Sequence, residues 1–330
     1  MEYTNIPSIE QKISRIGLGT WAIGGWMWGG SDENNSIATI HKALDLGINC
    51  IDAAPAYGFG ISEEIIGKAL KQHGKREHVI IATKLGLSWK NPQEVYRDSR
   101  KETIFNEINA SLRRLQTDYI DLYQVHWPDT QTPISETAEA LHQLMKEGKI
   151  RAIGVCNFSV DQMETFQKSA PLHALQLPFN IFENEIEKLE LAYCMKKKLA
   201  TLGYGSLCRG LLSGKMSKER KFKGDDLRLD DQKFQEPHFS EYLQCVEQLT
   251  DWVKEKHKRP LLALAIRWAL DKGINIALWG ARKPEQMDGV DTIDGWKLTD
   301  ECFTEIDHII QKTIKSPIMT SKMGPPVRKI

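Results

Sequence analysis

The feature that most constrains how this chain folds is a strict alternation of short apolar runs with amphipathic segments of helical periodicity. The runs lack a clean two-residue alternation, which is typical of parallel strands covered on both faces. Eight strands are predicted, at residues 15–18, 48–52, 78–84, 119–126, 151–155, 174–177, 199–204 and 274–279. This succession of βα units predicts a (β/α)8 TIM barrel in a single domain spanning residues 1–330, with a doubly wound open sheet as the alternative.

Helix starts and ends are marked between these strands. In a capping box, an N-cap hydroxyl and a Glu or Gln three residues later exchange hydrogen bonds with backbone N–H groups, and such boxes are predicted at 99–102 and 159–162. Pro133 fits the first position of a helix that ends at Gly148, and Thr299 opens the last helix. These signals support the βα alternation.

Composition excludes several classes of protein. Lys plus Arg number 44 and Asp plus Glu number 44, and this balance argues against a nucleic-acid-binding surface, which would show a basic excess. The best apolar run, 260–270, is too short for a membrane span and contains Arg267. The first residues lack the basic and apolar regions of a secretory signal. We therefore expect a soluble, cytoplasmic protein with no membrane or nucleic-acid partner.

Neither cysteine nor histidine spacing indicates a metal site. The six cysteines contain no CxxC pair, and the nine histidines include no HExxH motif. Buried free thiols in a reducing compartment are the expected state of these cysteines. No metal ligand is predicted.

A glycine-rich segment begins in the first predicted strand. The run from Gly17 to Ala22 matches G-x-G-x-x-A, but the dinucleotide fingerprint requires a helix next. The glycines and tryptophans of 23–30 do not form one. We therefore predict a loop with an aromatic wall, suited to a planar ligand, instead of a Rossmann turn.

Two segments interrupt the βα rhythm. Residues 215–233 follow the seventh predicted strand and contain twelve charged residues among nineteen. They are interpreted either as a solvated surface loop or as a flap over a ligand, since active sites of barrels lie at this end of the strands. Residues 315–330, with Pro317, Pro325 and Pro326, are predicted to form an irregular C-terminal tail.

Three ionisable residues stand at the carboxyl ends of successive predicted strands. They are Asp52, Lys84 and His126, and in a barrel these strand ends converge on the rim where active sites lie. Tyr57 follows Asp52 in a loop marked by proline and glycine, which can bring its phenol back over the rim. The four side chains are therefore expected to meet.

Together these side chains suit the reduction of a carbonyl. A phenol with an ordinary pKa near 10 is a poor acid at neutral pH. The ammonium of Lys84 is expected to lower the pKa of Tyr57, while Asp52 holds that ammonium in place. His126 is then available to orient a substrate carbonyl, and the set can protonate the carbonyl oxygen while hydride arrives at the carbon.

Longer motifs, spread from Gly17 to about Ile310, carry a resemblance to a known family. They comprise residues 19–21, 49–58, 83–84, 122–126, 148–155, 210–215 and 280–282. On these residues the chain closely resembles the aldo-keto reductase superfamily. The early glycine-rich loop and the stretch 226–234 are most similar to the bacterial and plant branch that includes inositol-cluster and auxin-induced-type reductases.

The resemblance implies a (β/α)8 barrel that uses NADP(H), or less often NAD(H), without a metal. Carried over to this sequence, the resemblance implies that Tyr57 is the proton donor, that Lys84 and Asp52 adjust its pKa, and that His126 orients the carbonyl. The implied reaction is the reversible NADPH-dependent reduction of aldehydes or ketones to alcohols.

The resemblance also implies a cofactor site. Its residues are Thr20, Trp21, Asp52, Asn157, Gln176, Tyr204, Gly205, Leu207, Arg209, Lys215, Gly280, Ala281, Arg282 and Gln286. In the family pattern, Asn157 and Gln176 bind the nicotinamide carboxamide and Tyr204 stacks on the nicotinamide ring. Residues 207–215 wrap the pyrophosphate, and Arg282 suits a 2′-phosphate because its planar fork matches phosphate oxygens.

Two positions depart from the family pattern. Cys156 replaces a usual serine, which weakens one hydrogen bond to the carboxamide, and Trp279 stands where proline is usual, so that the phosphate-binding turn can differ. Neither touches the four catalytic positions.

Two other functions are weighed against the reductase. A family member like the potassium-channel β-subunits binds NADP(H) and regulates a partner while keeping the catalytic residues. A metal-dependent barrel hydrolase would need several ligands at strand ends, and only Asp52 and His126 are available. For a reductase we expect a small carbonyl or alcohol substrate, bound around 26–30, Trp89, Trp127 and the C-terminal tail.

Overall fold

Eight parallel strands form a closed barrel, as the sequence predicts. The computed structural model describes residues 1–319 and 324–329. In chain order the strands are β1 (Ile16–Gly19), β2 (Cys50–Asp52), β3 (Ile80–Leu85), β4 (Ile120–Val125), β5 (Ile150–Cys156), β6 (Ala174–Pro178), β7 (Ala200–Tyr204) and β8 (Ile276–Gly280). The barrel closes because β8 pairs with β1, with Trp279 opposite Leu18. The (β/α)8 prediction is confirmed, and the open sheet is excluded.

Helices follow the strands and cover the outside of the barrel. They are α1 (Glu33–Asp45), α2 (Ile61–His73), α3 (Lys101–Leu115), α4 (Ile134–Lys146), α5 (Val160–Gln167), α6 (Glu190–Lys197), α7 (His238–His257), α8 (Leu261–Asp271) and α9 (Asp300–Thr313). Single helical turns lie at Trp21–Gly24, Arg76–His78, Glu185–Glu187, Leu227–Leu229, Gln232–Phe234, Pro284–Met287 and Val290–Thr292, and a kinked 3-10 segment lies at Cys208–Ser213. Within the described residues, no helix combines the length and apolar character needed to cross a membrane.

The amino-terminal end of the barrel is closed by the first residues of the chain. Tyr3–Thr4 pairs antiparallel with Ile13–Ser14. Ile6, Ile9 and Ile13 are buried against the inward-facing residues of the strands. The floor of the barrel is therefore packed core, and the open face for a site is the opposite rim, where the strands end.

Two predicted helix starts are confirmed. Ser159 accepts the N–H of Gln162, whose side chain accepts the Ser159 N–H in return, and Thr299 caps α9. Pro133 is the N-cap of α4 and so lies one position before the helix instead of at its first residue; α4 ends before Gly148. Local capping chemistry thus predicts where these helices begin.

The capping box predicted at 99–102 is wrong. Helix α3 begins at Lys101, with Arg100 as its N-cap and no side-chain cap. The Ser99 hydroxyl is buried and lies 3.1 Å from Thr137 Oγ1 on α4. A tertiary partner therefore replaces the local one.

A short β-hairpin that the sequence did not predict stands at the rim between β3 and α3. Leu87–Trp89 pairs antiparallel with Val95–Arg97, and the N–H of Arg97 donates to the Pro326 carbonyl at 2.9 Å. The tail predicted at 315–330 lies partly outside the described residues. Its described part is irregular apart from one isolated bridge to Arg97, and it returns to the mouth of the barrel.

The charged segment 215–233 connects β7 to α7 and crosses the rim. The carboxylate of Asp225 accepts the backbone N–H groups of Met27 and Gly29 at 2.7 and 3.0 Å. Leu227 N–H donates to the Met27 carbonyl at 3.0 Å. The segment is therefore tied to the glycine-rich loop after β1, and its role as a flap stays a prediction.

Candidate active site

A cavity of about 490 Å³ opens at the carboxyl ends of the strands. It extends from Tyr57 and His126 to the loops after β7 and β8. The predicted site residues that line it are Trp21, Asp52, Tyr57, His126, Asn157, Gln176, Tyr204, Gly205, Leu207, Arg209, Lys215, Gly280, Ala281, Arg282 and Gln286. Lys84 is buried behind Tyr57, and Thr20 faces the barrel wall.

The four residues predicted to be catalytic, Asp52, Tyr57, Lys84 and His126 (the tetrad), meet at one point. Lys84 Nζ lies 2.8 and 2.9 Å from the carboxylate oxygens of Asp52 and 3.0 Å from Tyr57 Oη. It also donates to the Ala53 carbonyl at 2.9 Å. His126 packs edge-on against the Tyr57 ring, with 5.8 Å between ring centres. Neighbouring strand ends therefore bring an acid, a cation and its counter-ion into direct contact.

Burial dominates the acidity of Tyr57. It raises the pKa of the phenol above its ordinary value, and the ammonium of Lys84 opposes this without cancelling it. The predicted direction of the Lys84 effect is confirmed, but the loss of hydration exceeds the attraction, so that the net pKa of Tyr57 lies above its ordinary value. Tyr57 is a protonated phenol throughout the neutral pH range.

Lys84 is held in its charged form. Burial by itself lowers the pKa of its ammonium, but the carboxylate of Asp52 and the other polar neighbours outweigh it, so that the pKa lies above its ordinary value. A buried charge of this kind is stable only when it is paired and hydrogen-bonded. Asp52 meets that requirement.

His126 is an uncharged imidazole at neutral pH. Burial lowers its pKa well below the ordinary value, and the positive charge of Lys84 adds to the effect. Its backbone N–H donates to the Leu85 carbonyl at 2.9 Å, which holds the residue at the rim. A neutral imidazole can donate a hydrogen bond to a carbonyl oxygen.

The residues expected to meet nicotinamide form one connected group. Asn157 has φ +61°, in the left-handed region that Asn adopts more readily than most residues. Its Nδ2 donates to the His126 carbonyl at 3.1 Å, and its Oδ1 accepts from Tyr204 Oη at 3.0 Å. Gln176 Nε2 donates to Asp52 Oδ1 at 2.7 Å. This group is therefore joined to the tetrad by hydrogen bonds.

The two departures from the family pattern are buried wall residues. Cys156 lines the cavity, and burial raises the pKa of its thiol, so that it is protonated. The indole N–H of Trp279 donates to the Gln286 carbonyl at 3.0 Å. Trp279 thus anchors the turn after β8.

That turn presents Arg282 to the cavity. Gln286 Oε1 accepts the backbone N–H groups of Arg282 and Lys283 at 2.9 and 3.1 Å, so its amide oxygen shapes the turn. Arg282 donates to the Trp28 carbonyl at 2.6 Å. No carboxylate of the described residues is in salt-bridge contact with Arg282, and its charge is available to an anion.

The loop after β7 lies along the same side of the cavity. Gly205, Cys208 and Arg209 have φ values of +70°, +44° and +52°. Arg209 is ion-paired with Asp231, whereas Lys215 is exposed. One of the positive charges predicted to bind the pyrophosphate, that of Arg209, is therefore already paired with a carboxylate of the protein.

Thr20 is the predicted cofactor residue that the fold does not bring into the cavity lining. Its fully buried hydroxyl donates to the Asp52 carbonyl at 2.7 Å and contacts Ser62 Oγ at 2.7 Å. Its observed contacts support the backbone of Asp52.

Arg228 and Glu183 are two of the cavity-lining residues for which no role was predicted. Arg228 is bound at 2.9 and 2.6 Å by Asp226, and its guanidinium lies 5.2 Å from the ring centre of Trp28. Glu183 is ion-paired with Lys233 at 2.8 Å. Arg228 lies in the stretch 226–234, whose resemblance to the family could have indicated a role for it. Glu183 follows β6 with no motif around it.

The profile of the Aldo/keto reductase family matches residues 15–311. The chain belongs to the aldo-keto reductase family. The aldo-keto reductase YhdN of Bacillus subtilis is 56% identical over all of this chain and 99% of its own length. The NADH-specific methylglyoxal reductase of Escherichia coli is 36% identical over 87% of this chain and 91% of its own length. Among solved structures, the glycerol dehydrogenase AKR11B4 from Gluconobacter oxydans superposes with a TM-score of 0.88 at 50% identity, covering 98% of this chain and 99% of that one.

As a member of this family, the protein is an oxidoreductase acting on carbonyl compounds, and members of the family use NADP(H) or, less often, NAD(H). The residues present fit such a group. The cavity has an aromatic ring and two amides near the tetrad, at Tyr204, Asn157 and Gln176. On its other side lies the guanidinium of Arg282, which forms no salt bridge within the described residues. Within residues 1–319 and 324–329, no three His, Cys, Asp or Glu side chains are grouped so that they could hold a metal ion.

Proposed function

We propose that this aldo-keto reductase uses NADPH to reduce aldehydes and ketones to alcohols, reversibly, with Tyr57 as the proton donor. The observation that carries the proposal is the contact of Lys84 Nζ with both Tyr57 Oη and the Asp52 carboxylate beside the cavity. A neutral phenol backed by a fixed cation is suited to giving up a proton when negative charge develops next to it.

Each side chain has one task in the reduction. When bound, the reduced nicotinamide supplies hydride to the carbonyl carbon. Tyr57 Oη donates its proton to the carbonyl oxygen, and the ammonium of Lys84, held by Asp52, stabilises the phenolate that remains. His126 donates a hydrogen bond to the same oxygen and orients it. In alcohol oxidation the phenolate accepts the proton back, so the reaction is reversible at the same residues.

The preference for NADPH over NADH is expected to depend on Arg282. Its guanidinium has a neutral carbonyl as its observed partner, and a hydrogen bond to a charged group is worth about 1.5–3 kcal/mol. Arg282→Ala should therefore weaken NADPH binding at least about tenfold and change NADH binding much less. Fluorescence titration of both cofactors measures the two dissociation constants.

A matched control is Arg259→Ala, which removes the same charge from a residue outside the cavity lining. It should leave both dissociation constants near those of the wild type. Equal affinities of the wild type for the two cofactors, or a loss in Arg282→Ala no larger for NADPH than for NADH, would contradict this role.

The walls of the cavity support an uncharged substrate. The basic side chains of its lining follow β7 and β8, on the expected phosphate side; they are Arg209, Lys215, Arg220, Arg228 and Arg282. The aromatic or apolar residues near Tyr57 and His126 are Trp21, Trp26, Ala56, Leu87, Trp127 and Pro325. The two relatives named for glycerol and for methylglyoxal act on uncharged compounds. Among the described residues that line this wall, none is a Lys or Arg that could pair with a carboxylate or phosphate on the substrate.

The function is tested by NADPH oxidation with a panel of carbonyl compounds. We expect turnover of methylglyoxal, glyceraldehyde and benzaldehyde, and a lower kcat/KM for succinic semialdehyde, which adds a carboxylate. The potassium-channel-like alternative has a distinct outcome: NADPH binds tightly, but no member of the panel is reduced. That result would replace the reductase proposal with a regulatory one.

A further inference from the structure

The first turn of α2 carries two fully buried polar side chains. Ser62 and Glu63 are both 0% exposed, although Tyr57, a few residues earlier, lies in the cavity. Neither residue belongs to the cavity lining, so neither is placed to touch substrate or cofactor. A buried carboxylate is costly unless it is paired, and the partners of Glu63 therefore indicate its role.

Glu63 joins two helices to the strand that bears Lys84. Its Oε1 accepts a hydrogen bond from Thr83 Oγ1 at 2.6 Å, and its Oε2 accepts from Arg114 Nε at 2.7 Å. Thr83 is in β3 immediately before Lys84, and Arg114 is in α3. Both oxygens of the carboxylate therefore accept a hydrogen bond, one from the barrel strand β3 and one from the neighbouring helix α3.

The helices approach closely enough for this contact because of two glycines. A Cβ on Gly67 would lie 2.4 Å from the Arg114 carbonyl oxygen, and a Cβ on Gly60 would lie 2.8 Å from Arg114 Cδ. Any larger side chain at Gly67 would force α2 away from the backbone of α3.

Ser62 extends the same turn to the other catalytic strand. Its Oγ lies 2.7 Å from Thr20 Oγ1, which donates to the Asp52 carbonyl at 2.7 Å. Its backbone N–H donates to the Tyr57 carbonyl at 3.2 Å. One helical turn therefore contacts the backbone of Tyr57 and the side chain of Thr83 directly, and it reaches the backbone of Asp52 through Thr20.

We propose that the hydrogen bond between Glu63 and Thr83 is a positioning contact for proton transfer, which holds β3 so that Lys84 Nζ reaches Tyr57 Oη and Asp52 together. This inference rests on the proposed role of Tyr57. A displacement of about 1 Å at a reacting group can lower a rate by about 100-fold. The contact therefore acts on catalysis without touching the reactants.

The test compares Thr83→Val, which keeps the shape and removes the hydroxyl, with Thr83→Ser, which keeps the hydroxyl. Thr83→Val should lower kcat at least about tenfold, while the KM for the carbonyl and the dissociation constant of NADPH stay near wild type. Thr83→Ser should restore most of kcat. Recovery by the serine variant distinguishes the hydrogen bond from the methyl packing.

Thr201→Val is the matched structural control. Thr201 is also a buried strand threonine, on β7, and its hydroxyl contacts Asn275 Oδ1 at 2.9 Å, outside the cavity lining. This variant should lower the melting temperature to a similar extent as Thr83→Val and leave kcat unchanged. Equal effects of Thr83→Val and Thr201→Val on both quantities would overturn the proposal.

Coupling to the acid is the second measurement. If the contact acts through Lys84 and Tyr57, Thr83→Val should have little further effect on kcat in a Tyr57→Phe background, since residues that act as a unit are not additive. Additive losses would overturn the positioning role. Full activity of Tyr57→Phe alone would instead contradict the proposed function, so the two failures are distinguishable.

Discussion

Tyr57→Phe is expected to lower the kcat of carbonyl reduction by about 10²–10⁴-fold, the usual contribution of a general acid. The substitution removes only Oη, which lies 3.0 Å from Lys84 Nζ. It keeps the ring that stacks on Trp21 with 6.0 Å between centres. The affinity for NADPH should stay close to that of the wild type, because the expected nicotinamide contacts, Tyr204 and Asn157, are unchanged. Single-turnover rates and cofactor titration measure the two effects separately.

Tyr193→Phe is the matched control for this substitution. The Tyr193 hydroxyl contacts Gln167 at 2.8 Å in an exposed position outside the cavity lining, and its loss should leave kcat unaltered. Near-normal turnover by a folded Tyr57→Phe protein that binds NADPH would refute the mechanism.

Lys84→Met is expected to cost at least as much activity as Tyr57→Phe. Without the ammonium, nothing opposes the burial that raises the pKa of Tyr57, and the phenolate left by proton transfer loses its cation. The substitution also leaves the carboxylate of Asp52 buried beside Gln176 without its counter-ion. Loss of one partner from a buried ion pair typically costs about 3–5 kcal/mol of stability. The measurements are therefore kcat and the free energy of unfolding.

A double substitution separates the two effects of Lys84→Met. Asp52→Asn combined with Lys84→Met removes both charges, so it should regain stability relative to Lys84→Met and remain inactive. Tyr57→Phe combined with Lys84→Met should be little slower than either single variant, since the two residues act as one unit. Restored turnover in the charge-free variant, or fully additive losses in the second pair, would show that the phenol and the ammonium do not cooperate.

The barrel is predictable because its determinants are local. Each strand is a short apolar run, and caps such as the Ser159 box and Thr299 lie within one turn of the helices that they start. The prediction at Ser99 was wrong for the converse reason. Its hydroxyl is buried against Thr137, thirty-eight positions away, and a contact of that kind has no signal in neighbouring residues.

The meeting of the residues proposed to be catalytic was predictable from strand position. Asp52, Lys84 and His126 lie at the ends of three adjacent strands, and parallel strands in a barrel end at one rim. The pKa of Tyr57 could not be predicted in the same way, because it depends more on how completely the phenol is shielded from water than on which charged residue is nearby. Burial raises its pKa more than Lys84 lowers it. The residues that neighbour Tyr57 in the sequence do not indicate how deeply its phenol is buried.

The long-range contacts that hold the site and its rim in place could not be predicted from the sequence either. Glu63 and Arg114 are 51 positions apart, and Arg97 and Pro325 are 228 apart. Their sequence neighbourhoods look like an ordinary helix surface and an ordinary tail. Each contact exists only after the barrel has placed α2 beside α3 and brought the end of the chain to the mouth of the cavity.

The sequence by itself determined the barrel, its order of strands and the identity of the four residues at the rim, since periodicity, caps and strand ends are properties of short segments. The tertiary structure decided which of those residues are buried, what holds them and which form each takes. It made Tyr57 a neutral phenol, His126 an uncharged imidazole and Lys84 a paired cation. The physical reason is that desolvation and ion pairing depend on the distances between residues far apart in the chain, and only the folded barrel sets those distances.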